Sequence, residues 1–592
     1  MDKSKPTRLR FGPFEADLEA GELFDSGQQV HLQSKPFQFL ATLLQHPGEV
    51  VTREQMSHVL WPNIYVQVNQ GLNAAARKVR IALNDRVERP QYFETLGSQG
   101  YRFIHDIDIL AWSREVETGD NAPLRLAVLP FNSEDDQLNG DGFAGELAGL
   151  LGRIHPRLKV IAPSSSSHLP TPIDVDSVAS RLNVDLVVTG RVERHRNRFN
   201  ISATLRAVAE HKVLWEGSSE RNTNAVFEAL EDIVAQTVGA LPTGNLPGTS
   251  VPPSLPRTDF QNYLSFLQAQ RGWYCQSNAT LLEALAQFQK SVERDPNYGP
   301  AHAGVANTHI VLAKHEVIAP RPAYQTALNS AATALQLSPD LPEAMVAMAW
   351  AKLAMDHDWA VATRLYERAL QANPSYAFGY VGFGTLLMAR GRVDEAVDAI
   401  QQADQLDPLS PFTSTSLSTA LYYARRYDES IRYARRALEL DPSSNTARAL
   451  IGLSSLAQRR FSDALQHFES AAEDSHDDPV MEAHLAHAYA RTGKVSSAEP
   501  ILVRLENRSG NIPKPSFHIA VIKLALGDVN GAVRWLDQAC RERFERTLFL
   551  GVDPRLDVLR GTKHFEEMCK QVREPDLRKN PLDRSSTRGG AA

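Results

Sequence analysis

VQVNQGLNAAARKVRIALN (residues 66–84), a short polar connection, then RPQYFETLGSQGYRFI (89–104) is the stretch that decides the fold. In its first part Leu72, Ala76, Val79 and Leu83 recur at helical spacing and form one apolar stripe. Arg77, Lys78 and Arg80 point away from that stripe, and no acid lies between positions 66 and 83. The second part reads as two short strands, 92–96 and 101–104, around a turn that holds Gly97 and Gly100. The spacing predicts a basic amphipathic helix followed directly by a β-hairpin.

The residues before it extend this pattern. HLQSKPFQFLATLLQHPGEVVTREQMSHVLWP (31–62) contains two more helices. Phe37, Leu40 and Leu44 mark the apolar face of the first, and Pro47-Gly48 stops it. Thr52 and Gln55 have the spacing of a capping box for the second, which runs to Trp61 and ends at Pro62. Residues 9–32 alternate polar and apolar around Gly-centred turns, as in a small antiparallel sheet.

A basic helix followed by a hairpin is the working part of a winged helix. The motifs SKPFQFL, VVTREQ and ALNDRVERPQYFETLGSQGYRF, in this order, resemble the OmpR/PhoB-type winged-helix DNA-binding domain over residues 8–107. The resemblance makes residues 66–83 the recognition helix, with Arg77, Lys78 and Arg80 as its basic cluster. It implies that Asn73, one turn earlier, reaches a base edge, and that Thr95 in the wing meets the DNA backbone. It also implies that residues 61–67 form the loop that in many relatives touches RNA polymerase. Gly97, Ser98 and Gln99 form the wing tip, where relatives often carry arginine. Gln99 is the polar side chain left there for a DNA contact. Phosphate contacts supply much of such affinity and base contacts the specificity.

Residues 1–107 contain twelve Lys and Arg and twelve Asp and Glu, so basicity can belong to one face only. The plain alternative is that Arg77, Lys78 and Arg80 are a solvated helix face. Over all 592 residues the net charge of −7 excludes general nucleic-acid coating, and any DNA contact must be local. Hydrophobic content of 43% and charged content of 22% are those of a globular protein. Cys275, Cys540 and Cys569 are scattered, form no metal spacing and suit a reducing cytosol. No apolar run approaches a membrane span, and no secretory signal opens the sequence. AWSREVETGDNAP (111–123) is a polar linker where regulators of the CadC kind carry a transmembrane helix. A cytoplasmic protein without a membrane partner is expected, with no phosphoacceptor receiver domain ahead of the winged helix.

Residues 123–241 read as a second unit. Strands at PLRLAVLPF, 158–162 and DLVVTGRV alternate with helices at 143–154 and 175–182. FNISATLRAV and KVLWEGSSE add antiparallel strands, and a helix over 225–241 closes the unit. This predicts a small α/β domain with a mixed sheet. LAVLPF, SRLNVDLVVTGRV and the ATLRAV and KVLWE pair resemble the TolB amino-terminal domain, which implies a fold and a role in assembly or sensing.

Gly140, Gly142 and Gly145 spell G-x-G-x-x-G, but the preceding strand ends nine positions earlier at Phe131, before an acidic loop. A dinucleotide site needs the first glycine at the strand end, so an ordinary helix start is the better reading. Ser164 to Ser167 reads as a flexible loop.

PTGNLPGTSVPPSLP (242–256) is a proline-rich linker. Beyond it, Pro296, Pro339, Pro374, Pro408 and Pro442 close successive units at intervals of 43, 35, 34 and 34 residues. Ala362 and Ala369, Ala396 and Ala403, and Ala464 and Ala471 recur where paired helices approach. Gly391, Gly493 and Gly527 each precede such an alanine by five residues, as at the turn inside a unit. The pattern resembles tetratricopeptide repeats, about eight units between 258 and 573. A solenoid of this kind offers a concave face to a protein or peptide partner. Tyr366, Tyr380, Phe383, Tyr422 and Tyr423 are either its lining or, more commonly, inter-helix core. His484 and His487 lie at i, i+3 with no Cys or carboxylate to complete a metal set.

The expectation is a multidomain α+β chain: winged helix (1–107), linker (108–122), α/β domain (123–241), linker (242–256), all-α repeat solenoid (257–573) and a disordered tail (574–592). The plan resembles regulators of the HilA kind. It implies a transcription regulator with double-stranded DNA and a protein as partners, able to form homo-oligomers. No catalytic residue, metal or cofactor is expected. The alternative is a repeat scaffold whose winged helix docks protein rather than DNA.

Overall fold

The computed structural model describes residues 6–18, 22–25, 28–30, 32–48, 50–60, 68–86, 89–97, 99–105, 108–112, 123–133, 135, 138–167, 175–242, 255–474, 478–508 and 514–572. The chain divides into two compact units, Met1–Ala122 and Pro123–Ala592.

The first unit opens with strands β1 (Pro6–Phe11), β2 (Phe14–Asp17), β3 (Glu22–Asp25) and β4 (Gln28–Val30). Helix α1 (Ser34–Gln45), β5 (Val50–Thr52), α2 (Arg53–Leu60) and α3 (Val68–Ala82) follow. Strands β6 (Phe93–Leu96), β7 (Gly100–Phe103) and β8 (Asp108–Trp112) complete it. The capping box forms reciprocally: Gln55 N donates to Thr52 Oγ1 at 3.1 Å and Thr52 N donates to Gln55 Oε1 at 2.9 Å. Leu72, Ala76, Val79 and Leu83 are buried, as their stripe requires, against Phe39, Leu40, Phe93 and Tyr101. The hairpin gains a third strand, giving the order β5-β7-β6. A Cβ on Gly100 would lie 2.1 Å from Val51 O, so β5 and β7 can pair only because that residue is glycine.

One boundary differs from expectation. Residues 108–112, part of the expected linker, form β8 and pair antiparallel with β1, making a five-stranded sheet of order β4-β3-β2-β1-β8. The free edge of β1 accepts a strand that shows no polar–apolar alternation of its own.

The second unit begins with an α/β layer. Its elements are β9 (Leu124–Val128), α4 (Gly140–Leu151), β10 (Leu158–Val160), α5 (Pro163–Ser167) and α6 (Val175–Leu182). Then come β11 (Leu186–His195), β12 (Arg198–Ala207), β13 (Lys212–Asn222) and α7 (Val226–Ala240). The sheet order is β10-β9-β11-β12-β13, parallel on one side of β11 and antiparallel on the other.

From α8 (Phe260–Tyr274) to the helix Val529–Glu542 the described helices pair antiparallel in succession. The six alanines at the close approaches have no exposed surface. Gly391, Gly493 and Gly527 have φ of +77°, +79° and +86°, the left-handed turn that ends the first helix of a pair. Tyr366, Tyr422 and Tyr423 are buried, whereas Tyr380 and Phe383 are half-buried. His484 and His487 are buried, and the described residues contain no group of three or more metal-ligating side chains. None of the described helices is long and apolar enough to cross a membrane.

The α/β layer and the helical array share one core: Tyr263 and Leu267 of α8 pack with Phe143, Phe227 and Leu147. The serine run is a correction. It is not a loop but helix α5, whose Ser164 and Ser165 hydroxyls donate to the two carboxylate oxygens of Asp407 at 2.6 and 2.5 Å. Val160 N donates to Ser375 Oγ at 3.0 Å, and Ala162 N donates to Leu406 O at 2.7 Å. Residues 545–572 fold back onto earlier helices of the array. Glu545 pairs with Lys314 (3.5 Å), Asp557 with Arg425 (2.8 Å), and Trp359 Nε1 donates to Val572 O (3.1 Å). The proline-rich linker, apart from residues 242, 255 and 256, and the tail lie outside the described residues.

Candidate nucleic-acid interface

Helix α3 has a buried side and an open side. The open side presents Asn73, Arg77 and Lys78, all exposed, on a helix that carries no acid. Among the described residues no hydrogen-bond or ion-pair partner lies beside Arg77. Lys78 Nζ donates to Gln33 Oε1 at 2.5 Å, a link to the start of α1 that leaves its charge at the surface.

Arg80 is not part of this face. It is 7% exposed and lies on the packed side, where its Nη1 meets Asp85 Oδ2 at 2.9 Å. Its guanidinium covers the Phe93 ring at 4.1 Å, and Nη2 donates to Thr95 Oγ1 at 3.2 Å. The cause is Asp85: a buried carboxylate just past the helix end draws the arginine inward. Asp85 in turn accepts from the backbone N–H of Gln91 at 2.7 Å. Arg80 therefore ties α3 to the wing strand β6.

Thr95 and Gln99 are exposed on the wing. Thr95 uses its hydroxyl oxygen as the acceptor for Arg80, so it is coupled to α3 rather than independent of it. Gln99 lies at the tip, where its backbone carbonyl accepts from Arg53 N at 3.3 Å.

Arg53 is the residue that sequence reasoning passed over. It opens α2, donates through Nε to Gly97 O (3.2 Å) and through Nη1 to Asn73 Oδ1 (3.3 Å). Its guanidinium lies 5.2 Å from the centre of the Tyr101 ring. Its place at the first helical position after the capping threonine was the available signal. Arg53, Asn73 and Tyr101 thus form a polar cluster where α2, α3 and the wing meet. Residues 61–67, considered for polymerase contact, lie outside the described residues.

Residues 27–103, which contain all of α1 to α3 and the wing, match the family described as "Transcriptional regulatory protein, C terminal". The first unit carries a domain of that regulatory family. Residues 346–411 and 415–479 match the tetratricopeptide repeat. Transcriptional regulator HilA of Salmonella typhimurium is 21% identical over 387 residues, covering 65% of this chain and 68% of HilA. Among solved structures, the DNA-binding domain of Klebsiella pneumoniae RstA in complex with the RstA box is 24% identical. It covers 16% of this chain and 96% of that domain, with a TM-score of 0.16. Human IFIT1 is 16% identical and covers 47% of this chain and 72% of its own, with a TM-score of 0.36. The regulatory domain holds every residue of the polar cluster and of the open face of α3.

Proposed function

We propose that the chain is a DNA-binding transcription regulator in which α3 enters the major groove and the second unit receives a protein partner or a signal. The carrying observation is the open side of α3: Asn73, Arg77 and Lys78 on an acid-free face, backed by a packed stripe and braced by Arg80. Helices held this way present their first turns to base edges and their cations to phosphates. Thr95 and Gln99 supply backbone contacts from the wing, and Arg80 acts as a brace rather than a contact. The DNA-binding part extends to Trp112, because β8 completes its first sheet. Contact with RNA polymerase through residues 61–67 and self-association on DNA belong to the same proposal, as does a cytoplasmic location. In the repeats, half-buried Tyr380 and Phe383 are among the aromatics open to a partner peptide.

The direct test is a gel shift over a range of salt. Arg77→Ala and Lys78→Ala should each weaken binding across all sequences and lower the salt slope by about one. Unchanged affinity and slope in both variants would end the reading. A wing tip without a cation and the even charge count favour a second reading, a scaffold whose winged helix docks protein. That reading requires partners that stay bound after nuclease treatment, with no footprint on any duplex.

A further inference from the structure

The amide of Asn73 is held in one orientation. Arg53 Nη1 and Tyr101 Oη both donate to its Oδ1, each at 3.3 Å. A guanidinium has donors only, so the Asn73 atom that faces it must be the carbonyl oxygen and not the NH2. Tyr101 remains a phenol and hence a donor, because burial raises its pKa against the opposing charges of Arg53 and Arg80. Arg53 is fixed in turn by Gly97 O and by the face of the Tyr101 ring. Both lone pairs of the amide oxygen are therefore engaged inward. Asn73 is itself exposed, and the group it has left for an incoming base is the NH2.

We infer that Asn73 reads DNA as a hydrogen-bond donor only, and that its target is the two-acceptor edge of guanine in the major groove. The inference rests on the DNA-binding reading above and names the base which that site selects. Guanine presents N7 and O6, both acceptors. Adenine presents N7 with the N6 amino group, which an asparagine matches only when its own oxygen is available to accept. Here that oxygen is occupied, so the N6 amino group of adenine and the N4 amino group of cytosine would each meet a second donor. Thymine offers O4 alone, beside a methyl group, and ranks below guanine.

The test is selection of duplexes from a randomised library by the full-length protein, followed by affinity measurements on single-base substitutions. One position should be enriched in guanine. Changing that guanine to adenine or to 7-deazaguanine should weaken wild-type binding by at least about fivefold. Asn73→Ala should remove the preference at that position alone. Arg53→Ala combined with Tyr101→Phe should admit adenine there, because the amide can then turn. Selected duplexes with the same base preferences in Asn73→Ala, or adenine at the Asn73-dependent position in wild type, would overturn the inference while leaving DNA binding intact. Enrichment of no duplex by the wild-type protein would overturn the DNA-binding reading and this inference with it. Asn73→Asp is the second variant: it keeps the shape of the side chain and an oxygen for Arg53 and Tyr101 but turns an acceptor outward. It should lose the guanine preference at that position, and an unchanged preference would overturn the inference even if Asn73→Ala fails to fold.

Discussion

Arg77 and Arg80 stand three residues apart on α3 and differ in what they touch. Arg77 is exposed, whereas Arg80 is closed over by Phe93 and paired with a carboxylate that has no exposed side-chain surface. Removing one partner of a buried pair leaves the other charge without compensation, at a cost of about 3–5 kcal/mol. Asp85 keeps its bond from Gln91 N, so Arg80→Ala should destabilise the first unit by about 3 kcal/mol, the lower end of that range. Urea unfolding of the full chain should show that loss for Arg80→Ala and almost none for Arg77→Ala. Equal, small effects would mean that Arg80 is an ordinary surface cation. Helical spacing alone grouped the two arginines because it records direction around an axis and not what lies beyond the helix end. The missing signal was Asp85, an acid placed to cap the chain reversal after α3.

At the level of elements, the second unit was legible wherever periodicity was strong. The helix over Val175–Leu182 forms over the residues its spacing indicated, β12 follows its alternation closely, and β11 and β13 form where strands were expected and run two or three residues further. Three of the short elements, β5, β8 and α5, were not legible: they show no period of their own and form because a partner is present. The G-x-G-x-x-G run is explained by packing. A Cβ on Gly140 would lie 2.1 Å from Phe131 O, and one on Gly142 would lie 2.8 Å from Leu267 Cβ. Asn139 Oδ1 accepts from Gly142 N at 3.1 Å as the helix cap. Gly140→Ala should therefore destabilise the second unit by about 1–3 kcal/mol through overpacking. Gly149, one helix face away with nothing within 4 Å, is the control. Gly149→Ala should leave stability unchanged or raise it by up to about 1 kcal/mol. Denaturant midpoints of the two variants decide this, and equal effects would remove the packing account.

Over the whole second unit, the joining of the α/β layer to the repeats was the least legible feature. Some of its contacts link residues more than two hundred positions apart, such as Ser164 with Asp407 and Val160 with Ser375, and local patterning carries no record of them. The same junction contains the chain's most telling carboxylate. Glu146 on α4 lies among Tyr263 and Gln270 of α8, with Arg153 and Glu343 near by. Burial, the largest effect, pushes its pKa up to about 7; Arg153 opposes the rise and Glu343 adds to it. Below pH 4.5 the carboxyl is protonated whether the junction is formed or not, and no penalty arises. Between pH 4.5 and 7 the unfolded chain gives up that proton while the folded one keeps it, so stability falls as pH rises; above 7 the loss is constant. The full span corresponds to at most about 3 kcal/mol. Guanidinium unfolding at pH 5.0 and 7.5 should show the second unit more stable at pH 5.0 with respect to this group, and Glu146→Gln should flatten that difference by raising stability at pH 7.5. A pH dependence identical in wild type and Glu146→Gln would show that the carboxyl is well solvated. In that case the two layers would meet less tightly at α4 than the packing of Tyr263 against Phe143 and Phe227 requires.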